Sequence, residues 1–275
     1  LIKCSVCIPT YHRPDNLNML LASILAMEDN RIAEVIVVIT GVREESTNAT
    51  TEQLERAYAL AKVPLIMCSG ASGICDAKEW MKDFAKEEVM LICDDDALFR
   101  RSYLDMLKYF LNDKVGAVSG SLQTPINVAG YKQWSDDSIV LPKSTEWCNT
   151  LSVGKDGSMD WSDKYQVYMI KPNHSIRLLK CEFLVGTCLM VRKEFLNIDM
   201  NFQQGACAGE EIDFTYAMYK DGKLVLFDTA RMAFHLHSMV GGNRNKDRSQ
   251  DDKNMTYLVQ KWGLGENVKG ETVYG

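Results

Sequence analysis

The chain has 275 residues, 46% apolar and 25% charged, with a net charge of −6 and a pI near 5.4. That is enough apolar side chain for one large α/β domain or two small ones, and the acidic balance excludes a broad nucleic-acid footprint, which needs a basic surface. No apolar run reaches the roughly 18 residues of a membrane span. Leu1-Ile-Lys-Cys leads directly into a strand pattern with no signal-peptide character. The nine cysteines (4, 7, 68, 75, 93, 148, 181, 188 and 207) lie mostly inside apolar runs, and Cys4/Cys7 has no second pair to complete a metal site. They read as reduced core thiols of a cytoplasmic protein.

In chain order, CSVCIP (4–9) is an apolar strand stopped by Pro9, and Leu17–Met27 has helical spacing after the polar start Asp15-Asn16. Val35–Ile39 is a continuous β-branched run, the pattern of a strand buried on both faces. A charged helix over 51–61, the strand PLIMC (64–68) and a helix in the second part of SGASGICDAKEWMKDFA (69–85) follow. VMLIC (89–93) is another buried-type strand, Ser102 is placed to cap a helix through Leu111, and VGAVSG (115–120) is a further strand. This alternation predicts a Rossmann-like, mostly parallel sheet flanked by helices, with ligands beyond the carboxyl ends of its strands. Residues 123–179, with Trp134, Trp147, Trp161, Tyr165 and Tyr168, predict irregular hairpins. Helical order resumes at 212–219, ended by Asp221-Gly222, and the strand KLVLF (223–227) follows. GGNRNKDRSQDDK (241–253) has no apolar side chain and predicts a mobile loop; a last helix near 249–262 has Ser249 and Asp252 as a capping pair.

Three clusters ask for chemistry. Asp94-Asp95-Asp96 sits flush against the VMLIC strand. On an extended backbone residues i and i+2 point the same way, so Asp94 and Asp96 share one site while Asp95 faces elsewhere. Their oxygens, completed by water and a diphosphate, suit Mg²⁺ or Mn²⁺. Glu210, Glu211 and Asp213 gather at a helix start, where anions are favoured; three acids exceed what capping requires, and one is a candidate base for an attacking hydroxyl. His235 and His237 follow the strand-like ARMAF, and an i, i+2 pair of imidazoles can present a metal ligand. The plain readings are an acidic turn in solvent, helix capping and a packed histidine pair. Together the clusters favour metal-assisted transfer or hydrolysis of a phosphorylated substrate.

The residues resemble family 2 glycosyltransferases of the GT-A fold. SVCIPTYHRP (5–14) is similar to the opening strand and its P-T-Y turn, GICDAKEW (73–80) to the G-x-x-x-A-R-N segment, and LICDDDALF (91–99) to the strand with its D-x-D motif. VGTCLMVRKEF (185–195) resembles the glycine-rich segment with a basic pair, GEEIDF (209–214) the E-D-x-D motif, AFHLHS (233–238) the late metal histidine, and KWG (261–263) a frequent ending. The resemblance implies a single domain over 1–275. Residues 1–120 would form its nucleotide-sugar half, 121–240 a hairpin-rich acceptor half, and 241–275 the loop and last helix. It further implies inverting transfer of a sugar from a nucleotide diphosphate-sugar to a glycan or glycolipid acceptor hydroxyl, with Mn²⁺ or Mg²⁺ as cofactor.

By that resemblance Asp96 and His235 hold the metal, Asp94 shares its shell or lies near the ribose, and Glu211 is the base. Pro9, Thr10 and Tyr11 line the nucleoside pocket, with Arg13 and Asp95 also on the donor side. Lys78 pairs with the diphosphate. Glu210, Asp213 and Trp134 fall on the acceptor side, where the two acids hold hydroxyls or orient a neighbour. The loop residues Arg244, Lys246 and Arg248 close over the donor. One departure stands out: the acid that usually ends the second strand and reads the base is absent, with Thr40 and Gly41 in its place. Thr40, Arg43 or Asp76 would then read the base. Glu79 replaces the usual Asn beside Lys78. Rival classes are a nucleotidyltransferase, which should carry a basic glycine loop where this chain has PTYHRPDN (9–16), a metal-dependent hydrolase, and a non-catalytic protein of the same fold. A retaining outcome, the oligomeric state and peripheral membrane association stay open.

Overall fold

The structure, a computed structural model, describes residues 1–123, 147–148, 178–184, 186–202, 209–236 and 249–262. Strand β1 (Cys4–Thr10) leads to α1 (Pro14–Met27), β2 (Ile32–Thr40), the short α2 (Arg43–Ser46), α3 (Ala49–Ala61), β3 (Leu65–Ala71) and α4 (Ile74–Phe84). Then come β4 (Val89–Cys93), β5 (Ala97–Phe99), a 3-10 helix over Arg101–Leu111 and β6 (Val115–Gln123). The second half holds β7 (Trp147–Cys148), β8 (Leu178–Cys181), β9 (Cys188–Arg192), a short 3-10 turn (Lys193–Phe195), α5 (Glu210–Lys220), β10 (Leu224–His235) and α6 (Ser249–Lys261).

These strands form one sheet in the order β3-β2-β1-β4-β9-β6-β10-β8-β7, with β5 paired to β10. From β3 to β4 every pairing is parallel, as the helical crossovers require. The expectation of a mostly parallel sheet fails beyond β4. Strand β9 runs antiparallel between β4 and β6, and β10 is antiparallel to both β8 and β5, so the sheet is mixed. The alternation that forces parallel pairing ends at β4, and strand direction beyond it is not something periodicity reports.

Alternating residues divide into two cores. Val6, Ile8, Val35, Val37, Ile39, Leu91 and Cys93 pack toward α1, α3 and the long 3-10 helix. Cys7, Ile36, Val38, Met90 and Ile92 pack toward α4, α5 and α6. Both faces of the central strands are thus covered, which is why they read as unbroken apolar runs. Cys4, Cys7, Cys68, Cys75, Cys93, Cys181 and Cys188 are free thiols, all but Cys68 buried, as expected of core cysteines. Among the described residues no helix is long and apolar enough to cross a membrane.

Local chemistry departs from expectation at three points. Helix α3 starts two residues early because Asn48 caps it, accepting from Thr51 N while the Thr51 hydroxyl accepts from Asn48 N. The 101–111 segment is 3-10 and lacks a side-chain cap, so Ser102 does not serve as one. KLVLF and ARMAF are two halves of one strand, β10, broken by a bulge between Asp228 and Met232. Asp228 is buried in that bulge, accepting from Tyr109 Oη at 2.8 Å and from Ala230 N at 2.9 Å. A Cβ at Gly120 would sit 2.5 Å from the Arg231 carbonyl oxygen, so the bulge requires a glycine opposite it.

Candidate active site

Strand β4 aims the acidic turn. It is buried along its length between β1 and β9, and the Asp94 N–H continues the β9 ladder by donating to Thr187 O at 2.9 Å. The three acids then separate. Asp95 is buried and accepts from Thr10 Oγ1 at 2.7 Å and from Arg13 Nη1 at 3.1 Å. Asp96, 1% exposed, meets Arg13 Nη1 at 3.2 Å with one oxygen and His235 Nε2 at 3.2 Å with the other. Asp94 is half-buried and has no ion pair of its own among the described residues. His235 arrives through the antiparallel β5/β10 ladder, in which it pairs with Ala97, and Leu236 N donates to Asp96 O at 2.8 Å.

Ligand atoms of Asp94, Asp96 and His235 all lie within 4.8 Å of one another. Two carboxylate oxygens and one imidazole nitrogen are a hard, mixed donor set that fits Mn²⁺ or Mg²⁺. The electrostatics agree with the donor set. Burial and then the neighbouring Asp96 charge push the Asp94 carboxyl well above its usual range, a cost that a cation between the acids would remove. Burial also raises Asp95, to about 6, despite Arg13 and Thr10.

The opposite wall is the first turn of α5. Glu210 is buried in an ion pair with Lys78 of α4. Burial works against this carboxylate, but the Lys78 ammonium prevails and holds it below the usual range. In Lys78, burial is likewise outweighed by Glu210, so the amine stays charged. Glu211, the next residue, is half-buried; burial first and the Glu210 charge second raise it to about 7, with Lys78 opposing. The walls are adjacent: Thr187 O bonds to Asp94, and its neighbour Gly186 lies against the Glu211 side chain.

Residues 3–256 match the family model described as glycosyltransferase like family 2. The chain belongs to that family. Among solved structures it is similar to GalNAc-T7 with UDP, GalNAc and Mn²⁺, at 15% identity and a TM-score of 0.67, over 100% of this chain and 52% of that one. A mycobacterial protein matches at 14% identity and a TM-score of 0.50, over 87% of this chain and 69% of that one. Such identities show a shared GT-A-like fold. The chain spans about half the length of the GalNAc-T7 structure. No curated protein sequence matches it.

In this family 2 chain the other expected site residues divide into those at the turn and those held elsewhere. Pro9 and Thr10 end β1, and the Thr40 hydroxyl donates to Thr10 O at 3.3 Å. Tyr11 stacks on His12 with ring centroids 3.9 Å apart, and His12 Nε2 meets Glu45 Oε2 at 2.5 Å. Lys78 faces Glu210, and Asp76 accepts from Ser72 N and Oγ at 2.7 and 3.0 Å. Arg43 pairs with Glu55 of α3. Asp213 turns away from Glu211: it accepts from Lys261 Nζ at 2.7 Å and Trp262 Nε1 at 2.8 Å, anchoring the end of α6. Burial nevertheless raises its pKa. Trp134, His237, Arg244, Lys246 and Arg248 lie outside the described residues. Gly186 and Thr187 fall in the glycine-rich segment that the resemblance marks, but neither they nor Thr215 carry a local signal that places them beside an acid.

Proposed function

We propose that the chain catalyses metal-dependent transfer of a sugar from a nucleotide diphosphate-sugar to an acceptor hydroxyl, with inversion by direct displacement. One observation carries this reading. Asp94, Asp96 and His235, whose ligand atoms lie within 4.8 Å of one another, and Glu211, a carboxyl raised to about 7, are linked by one residue step: Thr187 O accepts from Asp94 N, and Gly186 lies against the Glu211 side chain. Displacement at an anomeric carbon needs both parts, a held leaving group and a base for the incoming hydroxyl. Bound Mn²⁺ or Mg²⁺ supplies neutralisation of the diphosphate leaving group.

The chain's own residues do the rest. Glu211 accepts the acceptor's proton as that oxygen forms its bond to the anomeric carbon and the bond to the diphosphate breaks. A base with a pKa near 7 is half-ionised at neutral pH, which suits proton abstraction from an alcohol. Glu210 keeps Lys78 in place and sets the potential at Glu211, and Asp213 fixes α6 against α5, so both act by orienting neighbours. Thr10 and Arg13 hold Asp95, leaving Asp94 and Asp96 to face the cation. Pro9, Tyr11 and Thr40 border the nucleoside, and 1–275 acts as one catalytic unit in the cytoplasm.

Titration calorimetry of the wild type and Glu211→Gln with a panel of nucleoside diphosphates and Mn²⁺, paired with a transfer assay, tests this. Glutamine should leave nucleotide affinity intact and abolish transfer, and the panel names the base. Full turnover by the glutamine variant removes the base from the reading; no metal-dependent nucleotide binding in the wild type removes the reaction class.

A further inference from the structure

We propose that Gly186 is a positioning residue: its bare backbone is the surface on which the Glu211 side chain rests, and this contact sets the base's place relative to the metal acids. The inference rests on the base reading of Glu211 and goes beyond it by naming what holds that side chain.

A Cβ built on Gly186 would lie 3.0 Å from Glu211 Cβ, 3.0 Å from Cγ and 3.1 Å from Cδ. Three carbons of one side chain cannot all yield by rotating a far end, because the Cβ is fixed to the helix backbone. Nor does the local backbone demand glycine. Among the described residues the glycines in the left-handed region are Gly41, Gly70, Gly209 and Gly222, and Gly186 is not one of them. What a methyl at 186 meets is therefore the glutamate itself, which must give by a few tenths of an ångström.

Both ends of this contact are tied down. On one side, Thr187 O accepts from Asp94 N at 2.9 Å, and the next residue, Cys188, pairs with Cys93 in the β4/β9 ladder. On the other, Leu184 N donates to Thr215 Oγ1 at 3.0 Å, and that hydroxyl donates to Glu211 O at 2.6 Å. Thr215 is fully buried, and its bond from Leu184 N is closed to water. Because Leu184 and Thr187 are anchored to α5 and to the metal acids in turn, Gly186 has no room to retreat from an added methyl. The displacement falls on Glu211. The shift required is a few tenths of an ångström; a misplacement of about 1 Å in a reacting group costs about 10²-fold in rate, so this smaller one costs several-fold.

The test is Gly186→Ala, read by kcat, by nucleotide affinity in the presence of Mn²⁺, and by the pH profile. The expected result is a several-fold fall in kcat. Nucleotide affinity should stay within about twofold, since uniform binding is untouched. The acid limb of the kcat profile should shift below 7 as the carboxyl is pushed from its wall toward solvent. In the Glu211→Asp background, whose shorter side chain lacks the Cδ contact, Gly186→Ala should cost less than it does beside Glu211. Thr215→Val, which removes the hydroxyl tie without adding bulk, should lower kcat in the same direction, and it serves if the alanine variant does not fold. Wild-type kcat in Gly186→Ala overturns the proposal, as does a loss of nucleotide affinity as large as the loss of kcat. The ¹³C titration of the Glu211 carboxyl separates the two readings. If Gly186→Ala moves that titration while Glu211→Gln retains turnover, the packing stands and the base role falls; an unmoved titration overturns the packing itself.

Discussion

Replacing Glu211 with glutamine should have opposite effects on turnover and on stability, and the size of the second follows from the site. Glu211 has its ordinary pKa of 4.5 raised to about 7, chiefly by burial and then by the ionised Glu210. A carboxyl raised in the folded state binds its proton more tightly there than in the unfolded chain, so stability falls as pH climbs from 4.5 through 7. Taken in full, that shift costs the folded protein about 3 kcal/mol at pH 8. The side chain is partly open to solvent and shares its shift with Glu210, which reduces the figure to about 1–2 kcal/mol. Glutamine has no charge to desolvate. Glu211→Gln should therefore melt about 3–6 °C higher than the wild type at pH 8, and the gap should close as pH falls toward 5. Wild-type kcat should rise about tenfold between pH 6 and pH 8, following ionisation of a group with a pKa near 7. Differential scanning calorimetry at pH 5 and 8, beside a kcat profile at saturating donor, measures both. A glutamine variant no more stable than the wild type at pH 8, or a kcat flat across that range, refutes the argument.

Three further outcomes follow from other contacts. Asp96→Asn keeps the shape of the ligand set but removes its most buried charge, and should weaken Mn²⁺-dependent nucleotide binding by about 100-fold or more in calorimetry; unchanged affinity would remove Asp96 from the ligand set. Lys78→Met strands the buried Glu210 carboxylate and should cost about 3–5 kcal/mol in urea unfolding. Lys78→Met/Glu210→Gln should recover most of that loss, and a double mutant no better than the single would show the pair is not the source. Gly120→Ala puts a methyl 2.5 Å from a backbone carbonyl oxygen and 2.9 Å from the Tyr103 ring, and should destabilise by about 2–3 kcal/mol, measured the same way; a neutral result would mean that the β10 bulge can shift.

The strands through β4 were legible because burial on both faces writes itself as a continuous apolar run, and the helices between them force the parallel order. Beyond β4 that logic stops. Strand β10 was divided because Asp228, Thr229, Ala230 and Arg231 interrupt its apolar pattern, and the bulge that absorbs them depends on Gly120, more than a hundred residues earlier. In the site, the i, i+2 rule separated Asp94 and Asp96 from Asp95, because strand geometry is local. Asp95's own partners were less visible, since Thr10 and Arg13 reach it from another strand end. The resemblance points Lys78 toward a diphosphate, and it lies against Glu210; for Asp213 it implies an acceptor hydroxyl or a neighbour to orient, and Asp213 lies against Lys261 and Trp262. In both cases an acid and a base far apart in sequence meet only through packing, which no local pattern encodes.

Those pairings explain why two acids remain available in a site that holds many. On the β4 wall, Arg13 and Thr10 engage Asp95, and Arg13 and His235 share Asp96. On the α5 wall, Lys78 engages Glu210, and Lys261 engages Asp213. Each wall thus leaves one half-buried acid with no cation of its own among the described residues, Asp94 on one side and Glu211 on the other. Both are raised above the usual carboxylate range by burial first and by the adjacent acid second. Lys78 holds Glu210 below the usual carboxylate range, and the Glu210 charge beside Glu211, like the Asp96 charge beside Asp94, keeps the outer two raised. Asp94 gains most from an arriving cation, and Glu211 gains most from an arriving proton. A donor that brings a metal-bound diphosphate and an acceptor that gives up a hydroxyl proton would relieve the two walls in the same reaction.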